Sequence, residues 1–176
     1  MKKLFLTLLL CLTAVIFAEA QTSADKLIDD LLSTWDKHVA MNALLLNSVE
    51  GAYLTDKSSS GGRNVGEQFA HIHNVRMMWL SQLAPDQAKG IDEEVDAEES
   101  LKKEGLSKTM SASDKLVRTV LKEALQKGTK MGEMSPTRFL GYLISHESHT
   151  RGQIVLAMKQ SDHALPPPVT YGIWEW

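Results

Sequence analysis

Four segments of the chain repeat their apolar residues with the 3.6-residue period of an α-helix, and no segment alternates apolar and polar residues as a half-buried strand does. The predicted helices cover residues 24–52, 65–84, 112–127 and 135–161. Asn64 and Glu67 form a capping box for the second helix, and Ser135-Pro136 is an N-cap and N1 pair for the fourth. Four amphipathic helices in a chain of 176 residues predict an all-α fold, a four-helix bundle.

Two stretches depart from the helical pattern. Residues 86–111, between the second and third helices, include six carboxylates from Asp92 to Glu99, so we expect a long, charged connection that crosses the bundle. Residues 166–176 form a tail that is rich in proline and aromatic residues, and three consecutive prolines predict that its start is not helical. Its aromatic side chains are expected to pack on the bundle or to form an interface.

The first 20 residues have the pattern of a signal peptide that is cleaved on export. Lys2 and Lys3 precede an apolar run from Leu4 to Phe17, and Ala18-Glu19-Ala20 is an A-x-A cleavage signal. The apolar run is shorter than the roughly 20 residues that a membrane span needs. We therefore predict a periplasmic or secreted protein whose bundle covers residues 21–165, with no membrane association after cleavage.

Charge and cysteine content narrow the function further. The chain has 19 basic and 22 acidic residues; without Lys2, Lys3 and Glu19 these become 17 and 21, a net charge of −4. No basic patch favours nucleic acid as a partner. Cys11 is the single cysteine, and it lies inside the apolar run after the bulky Leu10, so lipid attachment is not expected. The exported chain therefore has neither a disulfide nor a thiol nucleophile.

Two histidine clusters on different predicted helices are the candidate functional feature. The first cluster is His71-Ile72-His73-Asn74 on the second helix, and the other is Ser145-His146-Glu147-Ser148-His149-Thr150-Arg151 on the fourth. Imidazoles on facing helices are how bundle proteins assemble metal sites, although two helical clusters can also arise by coincidence. His38 and His163 are given no role in the site: His38 is interpreted as a helix-face residue and His163 as the start of the tail.

The fourth-helix cluster is close to the His-Glu-x-x-His motif of zinc peptidases but does not complete it. After His146 and Glu147, the second histidine, His149, comes at i+3, and the i+4 position is Thr150. A zinc peptidase is therefore not predicted. Histidines at i and i+3 are still close enough on a helix to share a metal ion.

These residues resemble the DinB-like (DinB/YfiT) superfamily. The resemblance rests on His146-Glu147-x-His149-x-Arg151-Gly152-Gln153-Ile154 late in a four-helix chain and on Ala70–Arg76 in the second helix, and it extends from about Leu27 to Leu165. It implies a four-helix bundle, often dimeric, with a divalent metal held by one histidine of the second helix and two of the fourth at i, i+4. Carried over to this chain, the three ligand positions fall on His71, His146 and Thr150.

Thr150 departs from that pattern at a ligand, and a threonine hydroxyl is a poor ligand for zinc or nickel. Three outcomes remain open. His149 replaces the missing ligand, giving a distorted site of His71, His146 and His149. Two histidines and waters form a weak, open site. Or the metal is lost and the bundle is retained.

Three functions remain open as well, and whether the protein is an enzyme is not decided by the sequence. The first is a metal-dependent transferase or hydrolase acting on a small molecule, with Glu147 or His149 relaying protons. Export disfavours a thiol-dependent transferase, since low-molecular-weight thiols are mainly cytoplasmic. The second is a non-catalytic periplasmic binding or stress-associated module that uses Tyr171, Trp174 and Trp176. The third is a structural homodimer without a ligand.

Overall fold

The computed structural model describes residues 2–92, 95 and 102–176, with side chains from residue 21 onward. Its elements are α1 (Lys2–Ser48), a 3-10 turn η1 (Gly51–Thr55), α2 (Val65–Leu83), α3 (Pro85–Ala88), α4 (Lys103–Lys127), α5 (Pro136–Gln160) and α6 (Pro167–Gly172). The described residues form no strand beyond two isolated bridges, which confirms the all-α class. None of these helices is long and apolar enough to cross a membrane.

The boundaries of α2 and α5 agree with the sequence pattern because their capping residues act locally. The Asn64 side chain accepts a hydrogen bond from the Glu67 backbone N–H at 2.8 Å, and Glu67 Oε2 accepts one from the Asn64 N–H at 2.7 Å. This is the predicted capping box. Ser135 accepts a hydrogen bond from the Arg138 N–H, and Pro136 opens α5 as expected.

The limits of α1 differ from the prediction at both ends. It begins at Lys2 rather than near residue 24, and no proline or glycine lies in the first 23 residues to interrupt it. It ends at Ser48, and Gly51–Thr55 forms a 3-10 turn instead of a continuation. Cleavage after residue 20 stays a prediction.

The start of α4 was predicted wrongly, at residue 112 instead of Lys103. Its first turns are rich in lysine and serine and were therefore interpreted as part of the connection. Leu106 and Met110 nevertheless continue the buried stripe upstream of Val117. Burial against the other helices therefore extends the helix beyond its local signals. The predicted end is confirmed: Lys127 is the last helical residue, and Gly128 follows in the left-handed conformation at φ 62°.

The start of the C-terminal tail was also predicted wrongly. Pro167 and Pro168 occupy the first positions of the short helix α6, where the missing N–H groups would have had no intrahelical acceptor. α6 packs on α1 so closely that a Cβ atom on Gly172 would lie 2.7 Å from Leu44 Cδ2. Ile173 is buried, whereas Tyr171, Trp174 and Trp176 are exposed.

The four long helices run in two directions. At one end of the bundle, buried residues from the C-terminal ends of α1 and α5 pack against those from the N-terminal ends of α2 and α4. At the other end, the middle of α1 and the N-terminal part of α5 pack against the C-terminal parts of α2 and α4. Helices α1 and α5 are therefore parallel to each other and antiparallel to α2 and α4. Two successive long helices of the same direction, α2 and α4, need a connection that crosses the bundle. The chain between Leu83 and Lys103 connects them; of this segment the structure describes residues 84–92, 95 and 102, with α3 at its start. The predicted carboxylate run at residues 92–99 lies largely outside the described residues.

The interior has three layers along the bundle axis. One apolar layer includes Leu45, Val49, Phe69, Ile72, Leu106 and Ile154. The other includes Leu32, Trp35, Leu80, Val117, Leu121, Phe139 and Leu143. Between them, each long helix contributes polar residues that are buried, namely His38, Asn42, Arg76, Ser113, Glu147 and Arg151. We call these six residues the polar layer.

Candidate functional site

The two histidine clusters meet between α2 and α5. The rings of His71 and His146 have centroids 5.0 Å apart and are inclined by 63°. Two imidazoles that bind one tetrahedral ion through nitrogens about 2.1 Å from it have ring centres about 5 Å apart. Both side chains are half-buried, so the pair is within reach of solvent. Of the predicted ligands, these two are brought together at a separation that suits one metal ion.

The surroundings of His146 favour a neutral imidazole. Burial lowers its pKa below the ordinary 6.5, and the nearby charges of His149 and Arg63 lower it further, against the opposing effect of Glu147. Tyr142 stacks on its ring at 6.0 Å. Its Nδ1 atom is buried and has no hydrogen-bond partner among the described residues. A neutral imidazole with an unpartnered nitrogen is suited to accept a hydrogen bond or to bind a metal ion.

The third-ligand position has no metal-binding group. Thr150 is 1% exposed, and its hydroxyl donates a hydrogen bond to the His146 carbonyl at 3.1 Å. His149 is exposed, and its Nε2 accepts from the Gln153 amide at 3.0 Å. Within the described part of the chain, no three His, Cys, Asp or Glu residues are grouped so that they could hold a metal ion. The residues present therefore fit two imidazole ligands and do not fit the three-histidine set that the resemblance implies.

Glu147, the residue proposed as a proton relay, faces the bundle interior. Its carboxylate accepts hydrogen bonds from Arg76 Nε and Nη2 at 2.7 and 2.6 Å, from His38 Nε2 at 2.8 Å and from Asn42 Nδ2 at 2.6 Å. Burial alone raises the pKa of this carboxyl, but Arg76 and His38 outweigh it and lower the pKa to about 2. A carboxylate that is so fully engaged is a poor proton acceptor near neutral pH.

Arg76 is shared between two carboxylates. Besides its bidentate pair with Glu147, its Nη1 atom donates to Asp114 Oδ1 and to Ser113 Oγ, and its guanidinium carbon lies 5.1 Å from the centre of the Trp35 ring. The Asp114 side chain is only 17% exposed, and this loss of solvation raises its pKa; Arg76 opposes the shift and the charge of Glu147 adds to it, so the pKa reaches about 6. The single guanidinium therefore stabilises the charge of Glu147 more than that of Asp114.

His38 was interpreted as a helix-face residue, and this is wrong, because it is fully buried in the polar layer. Burial lowers its pKa, so the ring is neutral, with Nε2–H donating to Glu147 and Nδ1 facing Arg151 Nη1 at 3.3 Å. Arg151 also donates to Asn42 Oδ1 at 2.7 Å and to Ser148 Oγ at 2.9 Å. The ring of Trp176 stacks on His38 from outside at 6.2 Å.

The remaining histidines make structural contacts. The two ring nitrogens of His73 lie 3.0 and 2.7 Å from the carbonyl oxygens of Thr109 and Asp92, which ties α2 to α4 and to the connection. His163 pairs with Asp56 at 2.6 Å and stacks on Tyr53 at 3.7 Å, so it joins the loop after η1 to the end of α5.

Sequence reasoning missed the polar layer. One signal was present: His38 and Asn42 on α1, and Glu147 and Arg151 on α5, are pairs at i, i+4, and the α1 pair falls beside the apolar stripe of Trp35. Polar pairs next to an inner stripe on two helices indicate a buried network. The histidine pattern alone directed attention to the other face of α5.

A cavity of about 460 Å³ lies at the C-terminal end of α2, between Leu83, Ala124 and Met131. No histidine is among the residues that line it. It is therefore separate from the His71–His146 pair, which remains the candidate site.

Comparison with family models gives a match to the model described as the DinB family over residues 21–176. Neither the comparison with curated proteins nor that with solved structures gives a match. The matched range includes all of the bundle helices from the middle of α1 onward, the histidine pair and the tail.

Proposed function

The chain belongs to the DinB family, and we propose that it holds a divalent metal ion, zinc or nickel, between His71 and His146 as an open two-histidine site. The observation that supports this is the 5.0 Å approach of the two rings across α2 and α5. Imidazole nitrogen is a ligand that suits both metals. With two protein ligands of this kind, further coordination positions are left to solvent or substrate.

The proposed activity is that of a metal-dependent hydrolase or transferase acting on a small molecule. A bound divalent ion supplies Lewis acidity and lowers the pKa of a coordinated water or thiol. The chain's own contribution is to hold His146 neutral by burial and to orient it against Tyr142. Export of the mature chain, which is part of the proposal, favours the hydrolase over the thiol-dependent transferase. We also propose that the bundle acts as a homodimer, following the family resemblance.

Thr150 supports a second candidate function, a bundle that has lost its metal and acts by binding or as a structural dimer. Its hydroxyl is bonded to the backbone of its own helix. A family chain without its third histidine binds metal more weakly, because each imidazole adds a strong donor. Function would then lie at the surface, where Tyr171, Trp174 and Trp176 are exposed.

Metal content separates the two candidates. The chain from Gln21 to Trp176 is purified, loaded with zinc or nickel, dialysed and measured by elemental analysis. We expect about one ion per chain in the wild type, loss of the ion in His71→Ala, and affinity higher by roughly tenfold or more in Thr150→His. His149→Ala is the matched control, since His149 is exposed and engaged with Gln153.

A wild type that stays empty after loading, together with a Thr150→His variant that binds, would contradict the metal proposal and support the second candidate. Loss of metal in His149→Ala would instead show that His149 turns into the site.

A further inference from the structure

Five buried side-chain atoms in the described residues have no hydrogen-bond partner, and two of them belong to His146 and to the residue three positions before His71. One is His146 Nδ1 on α5, and the other is Gln68 Oε1 on α2. Gln68 is 7% exposed, so bulk water does not solvate its amide oxygen. A buried carbonyl oxygen without a partner is costly, and a bound ion or water is one explanation for its retention in a native structure.

The register of α2 and α5 brings Gln68 to the histidine pair. The helices are antiparallel: Trp79 contacts Tyr142 at 5.6 Å between ring centres, and His71 contacts His146 at 5.0 Å. Gln68 lies in the turn of α2 that precedes His71, and Thr150 lies in the turn of α5 that follows His146. Gln68 therefore faces the level at which the third ligand is missing.

The direction of the side chains brings Gln68 and His71 together. Residues three apart on a helix are neighbours, with Cβ atoms about 5–6 Å apart. Helical side chains lean toward the N-terminus, so the imidazole of His71 leans over the turn that contains Gln68. We therefore expect the Gln68 side chain on the same side of α2 as the His71 ring.

We propose that Gln68 Oε1 is the third protein ligand of the metal site, in the place of the imidazole that Thr150 does not supply. This inference rests on the proposed function. The donor set becomes two imidazole nitrogens and one neutral amide oxygen, which binds zinc less tightly than three imidazoles and suits manganese and cobalt better than the three-histidine set does.

The ligand role of Gln68 is tested by changing or removing its side-chain oxygen while leaving both histidines in place. Gln68→Glu puts a carboxylate at the same position and is expected to raise affinity for Co²⁺ and Mn²⁺ by about tenfold or more, since charge is added to an oxygen ligand. Gln68→Leu removes the oxygen and is expected to lower affinity by about tenfold. Gln82→Glu, the same substitution on an exposed residue of α2, is the matched control.

The readouts are calorimetric titration with each metal and the visible absorption of bound Co²⁺, whose bands change with the ligand set. Gln68→Leu also removes a buried unpartnered oxygen, so the metal-free variant is expected to unfold at the same urea concentration as the wild type or higher. Gln68→Leu is therefore expected to fold, so its metal affinity tests the inference even if Gln68→Glu does not fold.

The outcomes distinguish this inference from the proposed function. Wild-type binding that His71→Ala abolishes, with both Gln68 variants behaving like Gln82→Glu, overturns the role of Gln68 and leaves the two-histidine site standing; the oxygen then binds a buried water. Binding by Gln68→Glu but not by the wild type also overturns it, because the amide is then not a ligand. No binding by any variant overturns both proposals.

Discussion

At the residue scale, Arg76 shows how one buried guanidinium can shift two carboxyl groups in opposite directions. Glu147 receives two hydrogen bonds from it and two more from His38 and Asn42, and its pKa falls to about 2. Asp114 shares the same cation but is buried beside a charge of its own sign, and its pKa rises to about 6. The charge of Arg76, supported by hydrogen bonds to the ionised carboxylate, decides the first case, and desolvation decides the second.

The raised pKa of Asp114 predicts a pH dependence of stability. Between its ordinary value of 3.8 and about 6, the folded state binds a proton that the unfolded chain does not. The stabilisation is therefore complete below pH 3.8 and is lost as the pH rises through about 6. Relative to Asp114→Asn, the wild type should lose on the order of 2–3 kcal/mol of unfolding free energy between about pH 4 and pH 7.

Urea unfolding of both proteins at the two pH values measures this difference, since Glu147, the carboxyl group coupled to Asp114, has a pKa of about 2 and stays ionised across that range. An unchanged difference between wild type and variant across that range would show that Asp114 keeps an ordinary pKa in the fold.

At the element scale, the tail illustrates how a short helix can be held by two buried side chains. α6 has six residues and too few internal hydrogen bonds to be stable in isolation. Val169 and Ile173 pack into the apolar layer that contains Leu45 and Phe69, and the absence of a side chain on Gly172 allows the close approach to α1. The aromatic residues beside them remain largely in solvent.

The tail should therefore respond very differently to two neighbouring substitutions. Ile173→Ala removes a side chain that is 1% exposed and should cost roughly 2–5 kcal/mol of unfolding free energy. Trp174→Ala removes one that is 58% exposed and should change stability by about 0.5 kcal/mol or less. Urea unfolding of the two variants checks both. A large loss of stability in Trp174→Ala would mean that its ring is covered in solution, as an interface would require.

At the scale of the whole molecule, the polar layer joins all four long helices at mid-height between two apolar layers. α1 contributes His38 and Asn42, α2 Arg76, α4 Ser113, and α5 Glu147 and Arg151. Apart from Arg151 Nε, which has no partner among the described residues, the layer makes its hydrogen bonds in one rotation and register of the helices, and a shift of any helix would leave further buried polar groups without partners. We expect it to fix the relative rotation of α2 and α5, and with it the facing of His71 and His146.

Removing one charged partner from the polar layer should lower the unfolding free energy by more than the layer as a whole contributes to it, because the other partner stays buried without its counter-charge. Glu147→Gln leaves Arg76 buried without its bidentate partner, and the expected loss is roughly 3–5 kcal/mol of unfolding free energy. Glu133→Gln, on an exposed turn between α4 and α5, is the matched control and should be nearly neutral. Denaturant unfolding gives both values. A loss below about 1 kcal/mol in Glu147→Gln would show that the layer relaxes or admits water.

The predictable part of the molecule is what neighbouring residues set. The helical periods, the Asn64–Glu67 capping box, the Ser135-Pro136 start of α5 and the Gly128 end of α4 are local signals, so the all-α class and most helix limits follow from the sequence. The pairing of His71 with His146 followed from the family pattern. The upstream turns of α4 and the helical tail were missed, because burial against distant residues stabilises them.

The polar layer and the surroundings of Thr150 depend on contacts between residues that are far apart in the chain. His38 and Glu147 are separated by 109 positions, and the one local sign that His38 is buried is its i, i+4 pairing with Asn42 beside the apolar stripe of Trp35. Similarly, the sequence places threonine at position 150, but only the packing shows that Thr150 is buried, with its hydroxyl bonded to the His146 carbonyl. Helix formation is a local process, whereas burial, charge pairing and contacts between side chains of different helices are decided when the helices pack.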